Sequence, residues 1–328
     1  KNFKVVGIDN NYRKYFFGAE GSNLFRLKIL NEKIENFEYY NLDIRSYEKL
    51  NKIFKKYKDN IKCIIHCAAQ PSHDWAVKEP LTDYKINSLA TLNLLEATRN
   101  FSKNAVFIYT STNKVYGSIP NSLPLVEKKN RYEIKKGHKY HNKGIDENMS
   151  IDNTLHSLFG VSKLSGDLLV QEYGKYFNMK TGVFRAGCIT GTAHSGTELH
   201  GFLNYLVKRC VLNNSYKVIG YKGKQVRDNI HSYDLNQMFW YFFKKPRPGE
   251  VFNVGGSYHS NCSIIEAIKY CEKKLKIKIK LKFINQSRKG DHIWYITNIN
   301  KFKKMYPDFK YKYNIYDILD ELIKFYSN

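Results

Sequence analysis

Short apolar runs alternate with amphipathic stretches along the first half of the chain, which is the pattern of parallel strands joined by helices. Each apolar run is rich in β-branched or aromatic residues and is too short for a buried helix. The predicted strands of this sheet are residues 4–9, 37–44, 62–69, 105–110, 180–185 and 250–254.

Helical periodicity marks the stretches that pack on the sheet. One face of a helix after the third strand is apolar, at Ile86, Leu89, Ala90, Leu94 and Ala97. Longer or later helices are predicted over 157–177, 202–212, 262–274 and 314–325, with a polar loop at 191–201 and a strand at 217–220. The looser pattern of the later part predicts a cofactor domain at 1–186, to which 221–255 return, and a smaller substrate domain at 187–328.

Composition changes this picture only slightly. The net charge is +24 over 328 residues, but the lysines are spread along the whole chain, which is typical of a solvated basic surface and not of a nucleic-acid-binding module. No apolar run is long enough to span a bilayer. The six cysteines show no CxxC pair and no zinc spacing. We therefore expect a cytoplasmic protein with no metal site, no nucleic-acid partner and no membrane partner.

An acidic residue closes the first predicted strand. Asp9, followed by Asn10, stands where an acid at the end of the second strand of a dinucleotide-binding sheet grips the adenosine ribose and repels the extra phosphate of NADP. The alternative is an aspartate that only caps a turn. No Gly-rich phosphate loop precedes Lys4, so we expect the first strand and this loop to be missing from the chain, and cofactor retention to be weak.

Four segments then follow in order: NLDIR, HCAAQ, YTSTNKVYG and KQVRDNIHSYD. Together they resemble the extended short-chain dehydrogenase/reductases that act on nucleotide sugars. The resemblance covers nearly the whole chain and implies a doubly wound Rossmann sheet, NAD as the cofactor, a nucleotide-diphosphate sugar as the substrate and a homodimer. The runs TSTNKVYG and GKQVRD are most similar to the CDP-paratose (CDP-tyvelose) 2-epimerases, which implies inversion at C2 of a CDP-linked sugar through a ketone.

The resemblance also implies roles for individual residues. Besides Asp9 and Asn10, the residues expected to contact NAD or support its site are Asp43, Ile44, Ala68, Ala69, Gln70, Asn87 and Lys163. The residues expected at the sugar and the diphosphate are Thr112, Asn113, Arg227 and Arg288. Guanidinium groups suit the diphosphate because their planar fork binds two phosphate oxygens at once.

One departure from the family concerns catalysis. These enzymes use a YxxxK pair on the long helix, whereas this chain reads FGVSK, so that Phe159 stands in place of the tyrosine while Lys163 is present. Phenylalanine cannot accept a proton. Three interpretations stay open: another group takes over the proton, the protein turns over slowly or not at all, or a different reaction runs on the same scaffold. The candidate replacements are Thr112, His156, Tyr116, Cys188 and Lys163 itself.

Two alternative functions follow. A nucleotide-sugar dehydratase or dehydrogenase would share the scaffold, but dehydratases usually carry an acid beside the reactive Ser/Thr, and Asn113 follows Thr112 here. A catalytically impaired protein that binds NAD and nucleotide sugar is favoured by Phe159. The interpretation we prefer is an NAD-dependent epimerase.

Overall fold

The computed structural model describes residues 3–287 and 290–328. The strands are β1 (Val5–Asp9), β2 (Phe37–Asn41), β3 (Cys63–His66), β4 (Val106–Thr112), β5 (Leu125–Glu127), β6 (Tyr132–Ile134), β7 (Thr181–Ala186), β8 (Cys188–Thr190), β9 (Tyr216–Ile219), β10 (Val226–His231), β11 (Glu250–Val254), β12 (Asn261–Ser263), β13 (Leu281–Ile284) and β14 (Trp294–Tyr295). The helices are α1 (Arg13–Phe17), α2 (Leu24–Lys33), α3 (Tyr47–Tyr57), α4 (His73–Lys78), α5 (Pro80–Tyr84), α6 (Ala90–Phe101), α7 (Leu158–Phe177), α8 (Phe202–Val211), α9 (Ser232–Lys244), α10 (Ile264–Leu275), α11 (Asn300–Met305) and α12 (Ile315–Ser327). Within the described ranges, no helix has the length and apolar character needed to cross a bilayer.

The parallel sheet is built in two hydrogen-bonded parts. Four strands lie in the order β11-β7-β4-β3, and β1 pairs with β2 alone. Among the described residues, no backbone ladder joins the β1–β2 pair to the four-stranded part. Apolar side chains on both strands remain open to solvent, with Val5 46% and Ile65 50% exposed.

Helices cover both faces of the four-stranded part, because successive strand residues point to opposite faces. Phe107 and Tyr109 of β4 pack with residues of α3, α6 and α7, and Ile8 of β1 packs against this cluster. Ile108 of β4 and Phe184 of β7 face the other way, toward α9 and α11. Helices on both faces of a parallel sheet are the doubly wound α/β arrangement that the sequence predicts.

The later part of the chain forms a second group of elements. Strand β10 pairs with β8, β12 and β14, and α8, α10 and α12 share an apolar cluster of their own. Of the stretch 221–255, strand β11 returns to the parallel sheet, whereas β10 belongs to this second group. The division at residue 186 stays a prediction.

The predicted elements correspond to observed ones, with four local corrections. The strand predicted over 62–69 ends at His66, because the residues that follow form the loop in which the amide of Gln70 donates to Asn87. The strand predicted over 37–44 ends at Asn41, because a turn follows in which the amide of Ser46 donates to the carbonyl of Asp43. The helix predicted over 262–274 begins at Ile264, because Cys262 pairs with Arg227 as part of β12. Leu89 is 44% exposed instead of buried, because residues 85–89 form a wider π-helical turn that rotates it out of the apolar face.

Candidate active site

Helix α7 brings the predicted lysine to the sheet. The helix begins at a cap, in which the hydroxyl of Ser157 accepts the amide hydrogen of Gly160 at 3.1 Å. Lys163 is 4% exposed, and its Nζ donates to the carbonyl of Thr110 at 2.8 Å, near the carboxyl end of β4. Burial lowers the pKa of Lys163 to about 8. A buried cation at this edge of a parallel sheet can bind a ligand hydroxyl or anion without first shedding water.

The loop after β3 is held against α7 by a buried amide network. The side chain of Asn87 accepts the amide of Gln70 at 2.9 Å and donates to the carbonyl of Gln70 at 3.0 Å. The same amide group donates to Ser162 Oγ at 3.0 Å, one residue before Lys163. Ala68 is exposed and Ala69 is partly exposed, so this loop presents small side chains beside the lysine. The role expected for Asn87, to support the loop, agrees with this position.

The residues expected near the adenosine end also lie together. Asn10 Nδ2 donates to Asp43 Oδ2 at 3.1 Å, and Arg45 makes an ion pair with the same carboxylate at 2.6 Å. Burial raises the pKa of Asp43, but the hydrogen bonds from Arg45 outweigh it and leave this pKa below its ordinary value. Asp9 is exposed, and one of its oxygens accepts the amide of Asn11 at 2.5 Å, so it caps the turn as well as presenting a carboxylate. Ile44 is buried at 8% exposure.

A short 3-10 turn, Asn113–Tyr116, follows β4 and connects the residues around Lys163 with the charged residues around Arg227. Thr112 Oγ1 accepts the amide of Lys114 at 3.3 Å, and Asn113 is buried at 6% exposure. The carbonyl of Lys114 lies 3.0 Å from the point where a Cβ on Gly160 would sit, so the turn packs directly on the first turn of α7.

The charged side chains around Arg227 and Asp291 meet at Lys114. Its Nζ donates to the carbonyl of Gly290 at 2.8 Å and lies 3.7 Å from Asp291. Arg227, which is 8% exposed, pairs with Asp291 at 2.5 Å. Although burial raises the pKa of Asp291, the charges of Arg227 and Lys114 hold that pKa well below its ordinary range. Arg288, the second predicted arginine, lies outside the described residues.

Three of the groups proposed to replace the missing tyrosine are engaged elsewhere. Tyr116 donates to Asn253 Oδ1 at 2.7 Å, and burial raises its pKa to about 12. His156 Nε2 lies 2.9 Å from the carbonyl of Ile151. Burial raises the pKa of the Cys188 thiol to about 11. The Tyr116 hydroxyl and the Cys188 thiol therefore keep their protons at neutral pH, and His156 is held by the loop before α7.

One residue that the sequence reasoning missed lies beside Phe159. The imidazole of His73, at the start of α4, meets the Phe159 ring edge to face, with the ring centroids 5.0 Å apart. The signal in the sequence was weak, because 85 intervening residues separate the two rings and only the fold brings them together.

The described residues fit NAD at both ends of the cofactor. The exposed carboxylate of Asp9, next to the Asn10–Asp43 pair, suits the adenosine ribose. Lys163 suits the nicotinamide ribose, because its buried ammonium stands at the sheet edge beside the small residues Ala68 and Ala69. This donor set agrees with the cofactor expected from the sequence.

A parallel sheet covered on both faces, with a buried lysine and an exposed acid at its carboxyl edge, defines a Rossmann-type dinucleotide-binding protein. A family model described as "NAD dependent epimerase/dehydratase family" matches residues 2–255. The chain belongs to this family, whose members depend on NAD.

Individual relatives support the same family. The chain is 31% identical over 306 residues to a CDP-paratose 2-epimerase from Salmonella typhi, covering 90% of this chain and 84% of the relative. It is 26% identical over 344 residues to a UDP-glucose 4-epimerase from Mycoplasma genitalium, covering 99% and 88%.

A solved structure shares the fold. It is a tyrosine-to-phenylalanine mutant of the UDP-glucuronic acid 4-epimerase from Bacillus cereus, in complex with UDP-4-deoxy-4-fluoro-glucuronic acid and NAD. It superimposes with a TM-score of 0.78 at 23% identity, covering 98% of this chain and 90% of that chain. The protein is thus similar to nucleotide-sugar epimerases in sequence and in fold.

Proposed function

We propose that this protein is an NAD-dependent epimerase that inverts C2 of a CDP-linked sugar. The observation that carries the proposal is the position of Lys114, which joins the Thr112 turn to the Arg227–Asp291 pair. This chain of contacts supports one continuous site for the cofactor and the diphosphate. The 31% identity to a CDP-paratose 2-epimerase over 90% of the chain supports the choice of carbon and nucleotide.

In this proposal, each residue has a role that follows from its position in the site. Asp9, Asp43 and Lys163 hold the cofactor, with Asn87 fixing the loop between them. When bound, NAD accepts a hydride from one ring carbon and returns it, so that the sugar passes through a ketone without net redox change. Thr112 polarises the reacting hydroxyl by a hydrogen bond, which strengthens as negative charge develops on the oxygen.

Arg227 binds the diphosphate together with Arg288. A diphosphate has to compete with Asp291, which pairs with Arg227. Two phosphate charges against one carboxylate favour the substrate, and Lys114 is in place to contact the same anion. We further propose that the protein works in the cytoplasm as a homodimer.

Two other functions make different predictions. A dehydratase on this scaffold usually carries an acid beside the reactive hydroxyl, whereas Asn113 is the buried neighbour of Thr112. A binding protein without turnover is favoured by Phe159, which is 7% exposed and has no group that takes a proton. The product that forms, or the absence of any product, distinguishes both functions from an epimerase.

The test is incubation of the protein with NAD and CDP-paratose in D₂O, followed by NMR. An epimerase gives the C2 epimer with the original hydrogen still on carbon, because the hydride never exchanges with solvent. The dehydratase arm uses CDP-glucose, because CDP-paratose has no hydroxyl on C6 to lose; a dehydratase converts CDP-glucose into a deoxy-keto sugar that carries solvent deuterium. Lys163→Met is the matched control and should form no epimer. Tight binding of CDP-paratose without any product, for this and for UDP-linked sugars, would support the binding protein instead.

A further inference from the structure

The phenyl ring of Phe159 has a titratable neighbour. Phe159 lies four residues before Lys163, on the same face of α7, where the family tyrosine would stand. The ring of His73 lies against it with an interplanar angle of 67°. A histidine therefore occupies the space next to the position from which the phenol is missing.

The backbone at His73 is fixed by the loop that carries the cofactor residues. The amide of Ser72 donates to Gln70 Oε1 at 2.6 Å, and the carbonyl of Ser72 accepts Gln70 Nε2 at 2.8 Å. Gln70 is 1% exposed and is tied to Asn87. The position of His73 is thus set by the same buried network that holds the loop against α7.

On its other side, the imidazole meets the segment that carries the charged groups. A Cβ built on Gly290 would lie 3.0 Å from both Cε1 and Nδ1 of His73, so that backbone packs on the ring edge. The carbonyl of Gly290 accepts Lys114 Nζ. His73 therefore contacts Phe159, one helical turn before Lys163, and also the Gly290 backbone to which Lys114 donates. A sugar ring joined to a diphosphate at Lys114 and Arg227 would extend from this backbone toward Lys163.

We infer that the imidazole of His73 exchanges the proton of the reacting sugar hydroxyl in place of the missing phenol. This inference rests on the proposed epimerase function. In the first half of the reaction the sugar O–H bond breaks and an N–H bond forms on the ring, while the hydride lost from the same carbon is kept by the cofactor. In the second half the hydride returns to the opposite face and the imidazolium gives the proton back to oxygen. Histidine suits both directions because it titrates near neutral pH.

Lys114 is the competing candidate. Burial lowers its pKa to about 8, so a fraction of its amine is neutral under assay conditions. Its Nζ is occupied by the carbonyl of Gly290 and lies near Asp291, however, which places it with the diphosphate groups. A Lys114→Met variant should raise KM for the CDP-sugar more than it lowers kcat.

The activity test uses His73→Asn and a second substitution that restores the phenol. His73→Asn should lower kcat by about 10²–10³-fold, since general-base help is typically of this size. Phe159→Tyr in the His73→Asn background should recover at least about 10-fold of this loss, because the phenol resupplies the proton acceptor. His141→Asn, in the basic loop, is the control and should match wild type. A His73→Asn variant within about 3-fold of wild type, or a folded one that Phe159→Tyr fails to rescue, overturns the inference.

A second measurement does not depend on turnover. Diethylpyrocarbonate should modify His73, as read by peptide mass spectrometry, and CDP-glucose should suppress this modification at least about fivefold while leaving His141 unchanged. Equal modification with and without CDP-glucose overturns the placement of His73 at the sugar. A wild-type protein that converts no nucleotide sugar refutes the proposed function, whereas an active protein with an active His73→Asn variant refutes only the role of His73.

Discussion

The buried ion pair beneath the site provides the sharpest test of what holds α7 in place. Asp167 on α7 is 0% exposed and Arg185 on β7 is 5% exposed. The guanidinium donates twice to the carboxylate, both times at 3.0 Å, and Ser111 Oγ donates to it at 2.5 Å. Since Asp167 is one turn beyond Lys163, this pair fixes the lysine against β4 and β7.

The substitution Asp167→Asn keeps the shape and removes the charge. It leaves the Arg185 guanidinium buried, with one amide oxygen where two carboxylate oxygens had been and an amide N–H group facing its donors. Breaking one partner of a buried pair costs about 3–5 kcal/mol, and we expect about 3 kcal/mol because the amide still accepts one hydrogen bond. This is a large share of the ordinary stability of a protein, about 5–15 kcal/mol.

The assay is urea unfolding followed by far-UV circular dichroism. The control is Arg99→Met, which breaks a partly exposed pair with Glu96 on α6 and should cost at most about 1 kcal/mol. The double variant Asp167→Leu/Arg185→Met should be more stable than Asp167→Asn, because no charge is left buried. A loss below about 1 kcal/mol for Asp167→Asn would refute the reasoning that this pair anchors the helix.

Three further outcomes follow from the structure. Urea unfolding should show wild type gaining stability relative to Lys163→Met as the pH rises from about 8 toward 10.5, by up to about 1.4 kcal/mol per pH unit. The reason is that the lysine keeps its proton to higher pH in the unfolded chain than in the buried site. A stability difference that stays constant with pH would contradict this. Gly166→Ala should destabilise the protein by about 1–3 kcal/mol in the same assay, although alanine favours helices. The new Cβ would lie 2.5 Å from Tyr109 Oη and 2.8 Å from the carbonyl oxygen of Asn87. A more stable variant would show that α7 shifts freely. Arg227→Met should weaken CDP binding by calorimetry about 10-fold or more, and an unchanged affinity would remove this arginine from the diphosphate site.

The parallel sheet was predictable because its strands are short and apolar. Helix α7 was also predicted closely, since Ser157 caps it and Phe177 ends its apolar pattern. Strand β10 has no counterpart among the predicted strands, because its sequence VRDNIH contains no apolar run. Every residue of this strand is buried, and its charged side chains have partners on other elements, since Arg227 pairs with Asp291 and Asp228 accepts the amides of Ser257 and Thr297. No local pattern reveals these contacts.

Helix α9 was overlooked for a different reason. Its sequence SYDLNQMFWYFFK is dominated by aromatic residues, which favour strands as much as helices. The buried positions Leu235, Met238, Phe239 and Phe242 nevertheless follow helical spacing, so that a count of the periodicity would have found the helix.

For the site, the sequence identified candidate residues but not all of the side chains that contact them. The structure brings Asn10 to Asp43 and Lys163 to the end of β4, and all three residues belong to motifs with a fixed place on the sheet. The contact between His73 and Phe159 depends on how α4 packs on α7, and the Lys114–Asp291 contact depends on a loop from the far end of the chain. Such long-range packing has no signature in the order of the residues.

The division of the parallel sheet has a practical consequence for handling this chain. Among the described residues, β1 and β3 each have a strand on one side only, so both present a row of amide and carbonyl groups, next to the half-exposed Val5 and Ile65. Unprotected edges of this kind recruit strands from other molecules. Concentrated samples should consequently become turbid on warming before the helices melt, and light scattering will report the loss of usable protein earlier than circular dichroism does.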